Sequence, residues 1–383
     1  MIIGVDVRFA LRPRRGIGNY ILMLVKHLAS VDSENTYILY GDRDDTEEVL
    51  PKNHNFKFKK LLPNNYIIWE QVVLPLQTKR DQLDILHCGA NTSPILSSGK
   101  LILTLHDVMY LKDYFCVPKS DSWWQRLVRL YSSANVLLSA RRASKIITVS
   151  NFSKQDILYH LRFLSESSIV PIYESIDERF QVLDLIDAKQ KIQTAFGISE
   201  DYLLTLGAVD PRKNTKIVIQ AFAELKHDKQ ISGKLVVVGI PKLQRGIFNE
   251  FIKSLEIQSQ VCFTDFVSSE DLVCLYRAAT LFLYPSLYEG FGVPPLEAMC
   301  CGTPVITSNV TSIPEITGDA AFLIDPTNKA ALKTAIVTLL NNKKIREAMI
   351  KRGLKRVKQF SWQQMARETL KVYEQTVGLN NVN

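Results

Sequence analysis

The sequence predicts an α/β protein made of two doubly wound domains, each with a parallel sheet. Three observations lead to this prediction. The 383 residues exceed what one hydrophobic core usually holds, so two domains are expected. Short apolar, strand-like runs alternate with helical patterns through most of the chain. A strand, glycine loop and helix follow one another near the N-terminus and again around residues 280–302.

Composition and charge narrow the class of protein and its partners. The chain is 46% hydrophobic and 22% charged, which is typical of a soluble globular protein. A net charge of +8 favours anionic partners such as nucleotide phosphates or an anionic membrane surface. The sequence carries no nucleic-acid-binding motif, so no nucleic-acid partner is expected. No uncharged apolar run reaches the roughly 18 residues that span a bilayer, so we expect a cytoplasmic protein. A further expectation is peripheral contact at the inner face of the plasma membrane.

The first domain opens with a strand at residues 1–5, a basic loop, and a helix from Tyr20. The loop ends in Gly16 and Gly18, which is less than a full dinucleotide-binding fingerprint, so a simple tight turn remains an alternative. Its basic residues are Arg8, Arg12, Arg14 and Arg15.

Strands and helices continue to alternate as far as about residue 172. Strands are predicted at 36–40, 56–60, 84–87, 101–105, 145–149 and 169–172, and helices at 66–80 and 119–142. His106 and Asp107 follow the strand at 101–105, at the end of a parallel strand where such sheets bind ligands. A structural His-Asp turn is the alternative. The helix at 119–142 carries four arginines, for which a membrane contact is an alternative to a solvated face.

The second domain is expected to start after a pause in this alternation between residues 180 and 200. We therefore predict domains at 1–185 and 186–360, followed by a separate helix at 361–383. A strand at 202–206 leads into the loop GAVDPRKN and a helix from Asn214. Arg212 and Lys213 thus lie beside a helix N-terminus, where fixed cations and N–H donors suit a diphosphate. A solvated basic turn is the alternative.

The stretch SLYEGFGVPPLEAMCCG, residues 286–302, follows a strand at 280–284 and is the most informative part of the chain. It contains a glycine loop and then a short helix that starts near Pro294 and ends at Gly302. Two carboxylates, Glu289 and Glu297, are separated by seven residues. Backbone N–H groups at the helix start suit an anion. Carboxylates beside a phosphate site suit hydroxyl groups, such as those of ribose or a sugar.

This stretch resembles the nucleotide-sugar site of retaining GT-B glycosyltransferases, in particular glycosyltransferase family four, also described as glycosyl transferases group one. The likeness includes EGFG, the following P-LEAM and CGTPVI, the turn SIPE, and the earlier VSNFSKQDI. The resemblance implies two Rossmann-like domains that face each other across a cleft. It also implies a C-terminal helix that crosses back to the first domain.

The resemblance further implies which residues act. His106, Lys213 and Glu289 are expected to be catalytic. The expected contacts to the nucleotide-sugar donor are Gly16, Gly18, Arg212, Lys213, Gly290, Phe291, Gly292, Val293 and Glu297. The sequence has no Asp-x-Asp at a strand end and no His-x-x-x-His. We therefore expect no metal and no cofactor besides the nucleotide-sugar donor. The cations of Arg212 and Lys213 are expected to supply the positive charge that a metal would otherwise supply.

The expected activity is transfer of a hexose from a nucleotide sugar to a saccharide or lipid-linked acceptor, in cell-surface polysaccharide or lipopolysaccharide synthesis. GDP-mannose is the first expectation for the donor, and a dTDP- or UDP-sugar such as dTDP-rhamnose is the runner-up. Two alternatives come from other classes: a nucleotide-sugar epimerase on the same double fold, and a non-catalytic partner subunit of a glycosyltransferase.

Overall fold

The computed structural model describes residues 1–12, 16–111 and 123–378. These residues form two compact units. The first unit holds the described residues up to Ser175 and those from Ser361 onward, and the second unit is Ile176–Phe360.

A parallel sheet forms the centre of the first unit. Among the described residues its order is β3-β2-β1-β4-β5-β6-β7. The order reverses between β1 and β4, and such a switch point opens a crevice at the carboxyl ends of the strands. The strands are β1 (Ile2–Asp6), β2 (Thr36–Gly41), β3 (Phe56–Lys60), β4 (Ile85–Cys88), β5 (Lys100–Thr104), β6 (Lys145–Thr148) and β7 (Ile169–Pro171).

The first helices differ from the sequence prediction in two places. They are α1 (Gly16–Val31), α2 (Tyr66–Ile68), α3 (Leu74–Arg80), α4 (Trp123–Arg142) and α5 (Asn151–His160). Because α1 begins at Gly16, Gly16 and Gly18 lie in its first turn and not in the predicted loop. A π-helical segment, Trp69–Val73, interrupts the predicted helix at 66–80, and both Trp69 and Glu70 are buried in it. Residues 119–122 of the predicted helix at 119–142 lie outside the described residues.

The second unit repeats the same topology. Its parallel sheet has the order β10-β9-β8-β11-β12-β13, so the switch point lies between β8 and β11. The strands are β8 (Tyr202–Leu206), β9 (Lys234–Val238), β10 (Val261–Phe263), β11 (Leu281–Tyr284), β12 (Val305–Ser308) and β13 (Phe322–Ile324). The helices are α6 (Leu185–Phe196), α7 (Thr215–His227), α8 (Gly246–Ser254), α9 (Ser269–Ala278), α10 (Val293–Cys300), α11 (Ile313–Thr317), α12 (Lys329–Asn341) and α13 (Lys343–Val357).

The second unit starts at Ile176, earlier than the boundary of 186 expected from the sequence. Two contacts explain the difference. The ring of Phe180 packs edge-on against Tyr276 of α9, with ring centroids 6.0 Å apart. Arg277 Nε donates to the carbonyl oxygen of Leu183 at 2.7 Å. The segment before α6 therefore packs on α9 and belongs to the second unit.

The last helix, α14 (Trp362–Val377), returns to the first unit and packs against α1. Its Tyr373 hydroxyl lies 2.6 Å from His87 Nδ1, and both side chains are buried. The prediction that the C-terminal helix crosses back to the first domain is confirmed. Across the part of the chain that the structure describes, no helix combines the length and the hydropathy needed to cross a membrane.

Candidate functional site

Two of the predicted catalytic residues meet at the switch point of the second sheet. Lys213 ends a short turn, Pro211–Lys213, that follows β8, and Glu289 lies in the loop that follows β11. The strands β8 and β11 are adjacent and parallel. Their carboxyl ends therefore bring the two loops together, at the place where open α/β sheets bind ligands.

Lys213 and Glu289 form a hydrogen-bonded ion pair there. Lys213 Nζ donates to Glu289 Oε1 at 2.7 Å and to the Tyr284 hydroxyl oxygen at 2.6 Å. Tyr284 and Ser286 each donate from their hydroxyls to the same Oε1, both at 2.7 Å. Burial alone would raise the pKa of Glu289, but the charge and hydrogen bond of Lys213 outweigh it and lower that pKa. Glu289 is therefore a carboxylate at neutral pH.

The three side-chain donors leave one side of this carboxylate for a ligand. All of them reach Oε1. Oε2 accepts no hydrogen bond from the residues that the structure describes. It is the oxygen on which an incoming hydroxyl group can donate, while Oε1 keeps the side chain fixed.

Arg212 has a carboxylate partner that sequence reasoning missed. Its Nε donates to Asp210 Oδ2 at 2.9 Å, and Asp210 also accepts from the Arg212 backbone N–H at 3.0 Å. The Arg212 carbonyl oxygen accepts from the Leu287 N–H at 2.7 Å, and the Ser286 hydroxyl oxygen lies 3.0 Å from it. The loop after β8 is thus tied to the loop after β11. An Asp two residues before Arg in D-P-R is the signal that points to this pair.

The glycine loop before α10 approaches the following turn closely. Gly292 has φ +104°, and a Cβ there would lie 2.5 Å from Ile313 Cδ1, so only glycine fits. The Ser312 hydroxyl donates to the Phe291 carbonyl oxygen at 2.7 Å, and its oxygen also lies 3.0 Å from the Glu289 carbonyl oxygen. The turn SIPE therefore holds the loop that carries Glu289.

The predicted donor contacts from Gly290 to Val293 are backbone groups. The Phe291 side chain is buried and packs edge-on against Phe360, with ring centroids 5.7 Å apart. α10 begins at Val293, and the two prolines that follow it have no N–H. The backbone N–H donors at the start of α10 are therefore those up to Val293, together with those that follow Pro295.

Glu297 lies in α10 and has a different environment from Glu289. It accepts a hydrogen bond from the Tyr276 hydroxyl at 3.0 Å. Burial raises the pKa of Glu297 to about 7, although the Tyr276 bond opposes the change. Burial also raises the pKa of Tyr284, and the charges of both Glu289 and Glu297 add to that shift. The two glutamates therefore flank one tyrosine at the end of β11.

His106 follows β5 in the first unit and is buried. Its Nδ1 lies 3.3 Å from Glu174 Oε1, and its Nε2 lies 3.1 Å from the carbonyl oxygen of Gly89. The Tyr20 ring packs edge-on against it at 4.7 Å. Each ring nitrogen therefore faces an oxygen that only accepts hydrogen bonds. Burial opposes the positive charge, but Glu174 outweighs it and raises the pKa of His106.

The described arginines of the basic loop after β1 are paired with carboxylates. Arg8 is buried and bonds to Asp6 and Glu70, each at 2.7 Å, and Arg12 pairs with Asp42. Arg14 and Arg15 lie outside the described residues. Arg8 and Arg12 therefore both have carboxylate partners within the first unit.

Glu70 is the centre of a polar network that sequence reasoning did not find. Tyr131 of α4 donates to Glu70 Oε1 at 2.6 Å, and Thr92 donates to Oε2 at 2.9 Å. Arg8 lies over the Trp69 ring, 4.0 Å from its centroid. A single acidic residue within the mostly apolar run at residues 66–76 is the signal in the sequence. Within residues 1–12, 16–111 and 123–378, no three or more His, Cys, Asp or Glu side chains form a group that could hold a metal ion.

Comparison with known proteins places both units in one family. The model described as "Glycosyltransferase Family 4" matches residues 14–180, and the one described as "Glycosyl transferases group 1" matches residues 187–356. The chain is 30% identical to O-antigen chain mannosyltransferase B of Escherichia coli over 94% of this chain and 96% of that protein. It is 29% identical to O-antigen chain mannosyltransferase RfbU of Salmonella typhimurium, over 64% of this chain and 62% of that one.

Solved structures show the same fold. WaaG, described as a glycosyltransferase involved in lipopolysaccharide biosynthesis, superposes with a TM-score of 0.72 at 18% identity, over 97% of this chain and 99% of that one. Anabaena HepE, solved with UDP and glucose, gives a TM-score of 0.74 at 18% identity, over 98% and 100%. The fold, the two family models and the full-length relative agree: the chain belongs to glycosyltransferase family 4 and is a glycosyltransferase with the GT-B fold.

Proposed function

We propose that the protein is a retaining hexosyltransferase that moves mannose from GDP-mannose to a saccharide or lipid-linked acceptor, in the assembly of cell-surface polysaccharide or lipopolysaccharide. The observation that carries the proposal is the Lys213–Glu289 pair at the switch point of the second sheet. Mannose and the polysaccharide context are supported by the relatives, two of which are named O-antigen chain mannosyltransferases.

The cations near β8 are assigned to the leaving diphosphate. Negative charge grows on the diphosphate as the bond to the anomeric carbon breaks. Lys213 and Arg212 are each held by a carboxylate partner, so they need little reorganisation when that charge develops. Preorganised donors of this kind commonly contribute more to catalysis than flexible surface cations do.

The carboxylates are assigned to hydroxyl groups. Glu289 Oε2 accepts from a hydroxyl of the donor sugar, and Glu297 accepts from the ribose. His106 makes the donor-sugar contact that the resemblance implies. The acceptor hydroxyl then attacks the anomeric carbon on the face from which the diphosphate leaves, and its proton passes to the departing diphosphate. No covalent enzyme intermediate forms, so the anomeric configuration is retained.

Turnover is expected to continue in EDTA, because Arg212 and Lys213 supply the positive charge near the diphosphate that a metal supplies elsewhere. The assay follows release of GDP from GDP-mannose with a lipid-linked saccharide acceptor, and NMR of the product reports the anomeric configuration. A loss of turnover in EDTA that magnesium or manganese restores would show that the phosphate site is wrongly assigned. GDP formation without a glycosylated product would contradict the transferase reaction proposed here.

The runner-up donor is a UDP- or dTDP-hexose, because HepE was solved with UDP and with UDP-glucose. Thermal-shift measurements with GDP, UDP and dTDP decide between them. A nucleotide at 100 times its dissociation constant stabilises the folded protein by about 2.7 kcal/mol. A larger shift with UDP or dTDP than with GDP would replace GDP-mannose as the donor.

Donor affinity is expected to fall as the pH decreases, through Glu297. With a pKa of about 7, Glu297 is largely protonated at pH 6, and only its carboxylate is a strong acceptor for ribose hydroxyls. Binding should weaken about tenfold from pH 8 to pH 6 if only the ionised form binds. The pKa of Glu297 is also higher in the folded protein than its ordinary value of 4.5. Glu297 therefore contributes most to folding stability below pH 4.5, and this contribution is lost as the pH rises through about 7.

Calorimetric titration of GDP at pH 6, 7 and 8 measures this dependence. Glu297→Gln is the control, because it keeps the side-chain shape and removes the titrating group. We expect weak, pH-independent binding in this variant. A pH dependence that persists in Glu297→Gln would assign the titration to another group.

We also propose peripheral contact with an anionic membrane. The net charge of +8 and the possibility of a lipid-linked acceptor support it.

A further inference from the structure

Tyr284, the last residue of β11, carries a buried hydroxyl group whose position the second sheet fixes. The Tyr284 ring stacks on Phe282, two residues earlier in the strand, with ring centroids 5.7 Å apart and the ring planes tilted by 19°. The Tyr284 carbonyl oxygen accepts from the Thr307 hydroxyl of β12 at 2.7 Å. Groups held on strands are placed more precisely than groups held on loops, so this hydroxyl is a firm reference point within the site.

The Tyr284 hydroxyl connects Lys213 and Glu289, which lie on the connections after β8 and β11. Lys213 Nζ lies 2.6 Å from the hydroxyl oxygen, and that oxygen lies 2.7 Å from Glu289 Oε1. A lysine ammonium only donates and a carboxylate only accepts, so the hydroxyl accepts from Lys213 and donates to Glu289. Burial and the charge of Glu289 raise the pKa of Tyr284 above its ordinary value, so the hydroxyl keeps the proton that it donates.

Lys213 has one N–H group more than these contacts use. An ammonium has three, of which Glu289 takes one and Tyr284 takes another. The third has no acceptor among the residues that the structure describes. With Glu289 alone, the flexible four-carbon side chain could turn about a single bond, whereas two acceptors at fixed positions set the direction of the third N–H.

Glu289 depends less on the same hydroxyl. Ser286 and Lys213 also donate to Glu289 Oε1, each at 2.7 Å, so the carboxylate keeps two donors when the Tyr284 hydroxyl is absent. Lys213 would then keep Glu289 as its one acceptor within the described part of the chain. Removal of the hydroxyl therefore changes chiefly the orientation of Lys213.

We propose that Tyr284 is a positioning residue for glycosyl transfer, and that its hydroxyl aims the third N–H of Lys213 at the leaving diphosphate. This role rests on the proposed function, from which it takes the contact between Lys213 and the diphosphate. Tyr284 itself does not touch the donor. It keeps a cation in the orientation that the transition state needs, so that little reorganisation accompanies the growth of negative charge.

Tyr284→Phe keeps the ring against Phe282 and removes the hydroxyl. We expect kcat to fall about 10- to 100-fold, since misplacing a catalytic group by roughly 1 Å can cost that much. The KM for GDP-mannose should stay within about twofold of the parent's, because the charge that the aimed N–H faces grows mainly in the transition state. Steady-state kinetics with varied GDP-mannose measures both constants.

Tyr202→Phe is the matched control. Tyr202 lies in β8, is buried like Tyr284, and donates from its hydroxyl to the Leu275 carbonyl oxygen at 2.7 Å. This variant loses a buried hydroxyl of the same unit that has no contact with Lys213 or Glu289, so kcat should equal the parent's. An equal loss of kcat in Tyr202→Phe and Tyr284→Phe would show a general effect of losing a buried hydroxyl, and Tyr284 would then not be a positioning residue.

A double-mutant cycle shows whether Tyr284 acts through Lys213. In a Lys213→Met background, Tyr284→Phe should lower kcat by less than about twofold, because no ammonium remains to be aimed. If the two losses multiply instead, the hydroxyl acts on the donor directly and the positioning role is wrong. If Lys213→Met/Tyr284→Phe does not fold, the same comparison is made in Lys213→Met/Glu289→Gln, where neither charge of the pair remains.

Two further results would overturn the positioning role: a Tyr284→Phe enzyme with the parent's kcat, or one in which only the donor KM rises. The second would show that the hydroxyl contributes equally to the ground state and the transition state. Lys213→Met distinguishes this failure from failure of the proposed function. If Lys213→Met lowers kcat and Tyr284→Phe does not, the role of Tyr284 alone is wrong. If Lys213→Met leaves kcat unchanged, the diphosphate assignment is wrong and the role of Tyr284 falls with it.

Discussion

Lys213→Met is expected to lower kcat by about two to three orders of magnitude, the loss typical of removing one preorganised donor to a developing anion. The KM for the donor should change far less, because the charge that Lys213 faces grows mainly in the transition state. Methionine keeps an unbranched apolar stem beside the Tyr284 ring, over which Lys213 Nζ lies 5.2 Å from the centroid. The measurement is steady-state kinetics with varied GDP-mannose.

The same substitution is also expected to lower stability. Lys213 compensates the buried charge of Glu289, so its loss leaves a carboxylate with only hydroxyl donors. The sequence alone suggests an unchanged melting temperature, since Lys213 belongs to no apolar stripe. The ion pair that the structure shows reverses this expectation.

Two variants separate the catalytic effect from the structural one. Lys213→Met/Glu289→Gln removes both charges and should recover much of the melting temperature, while kcat stays low. Lys189→Met removes a lysine whose pair with Asp201 is exposed, and it should change neither quantity. If the double variant recovers kcat as well, Lys213 acts only by neutralising Glu289, and its assignment to the diphosphate is wrong.

The sequence predicts those parts of the fold and site that depend on local pattern. The strands are short apolar runs bounded by turns, and the structure places them within a residue or two of the predicted bounds. The loop around Glu289 and the helix that carries Glu297 are contiguous in the chain. Their glycines and prolines therefore indicate the strand, loop and helix that the structure shows.

Contacts between distant parts of the chain could not be predicted in the same way. Lys213 and Glu289 are 76 residues apart and meet only because β8 and β11 are neighbours in the sheet. Arg8 and Glu70 are 62 residues apart, and nothing local shows that either is buried. The raised pKa of Glu297 depends on burial within the second unit, which no spacing in the sequence reports. For each of these the contacts between distant parts of the chain, rather than residue type, set the surroundings of the side chain.

Arg8→Gln is expected to destabilise the first unit by about 3–5 kcal/mol, the range for breaking a buried ion pair from one side. Arg8 donates to Asp6 and Glu70, and the side chains of all three are at most 3% exposed. Burial opposes the charge of Arg8, but the carboxylates of Asp6 and Glu70 outweigh it and raise the pKa of Arg8 above its ordinary value. Glutamine can donate only two hydrogen bonds and carries no charge, so two carboxylates would remain buried without a cation.

Urea denaturation at neutral pH measures the effect, and the denaturation midpoint of Arg8→Gln should lie clearly below the parent's. Lys52→Gln is the control, since the Lys52–Glu48 pair is exposed and its loss should leave the denaturation midpoint unchanged. If Arg8→Gln and the parent have the same denaturation midpoint at neutral pH, water or a rearranged side chain compensates the two carboxylates. The network around Glu70 would then not be what holds segment 66–80 in place.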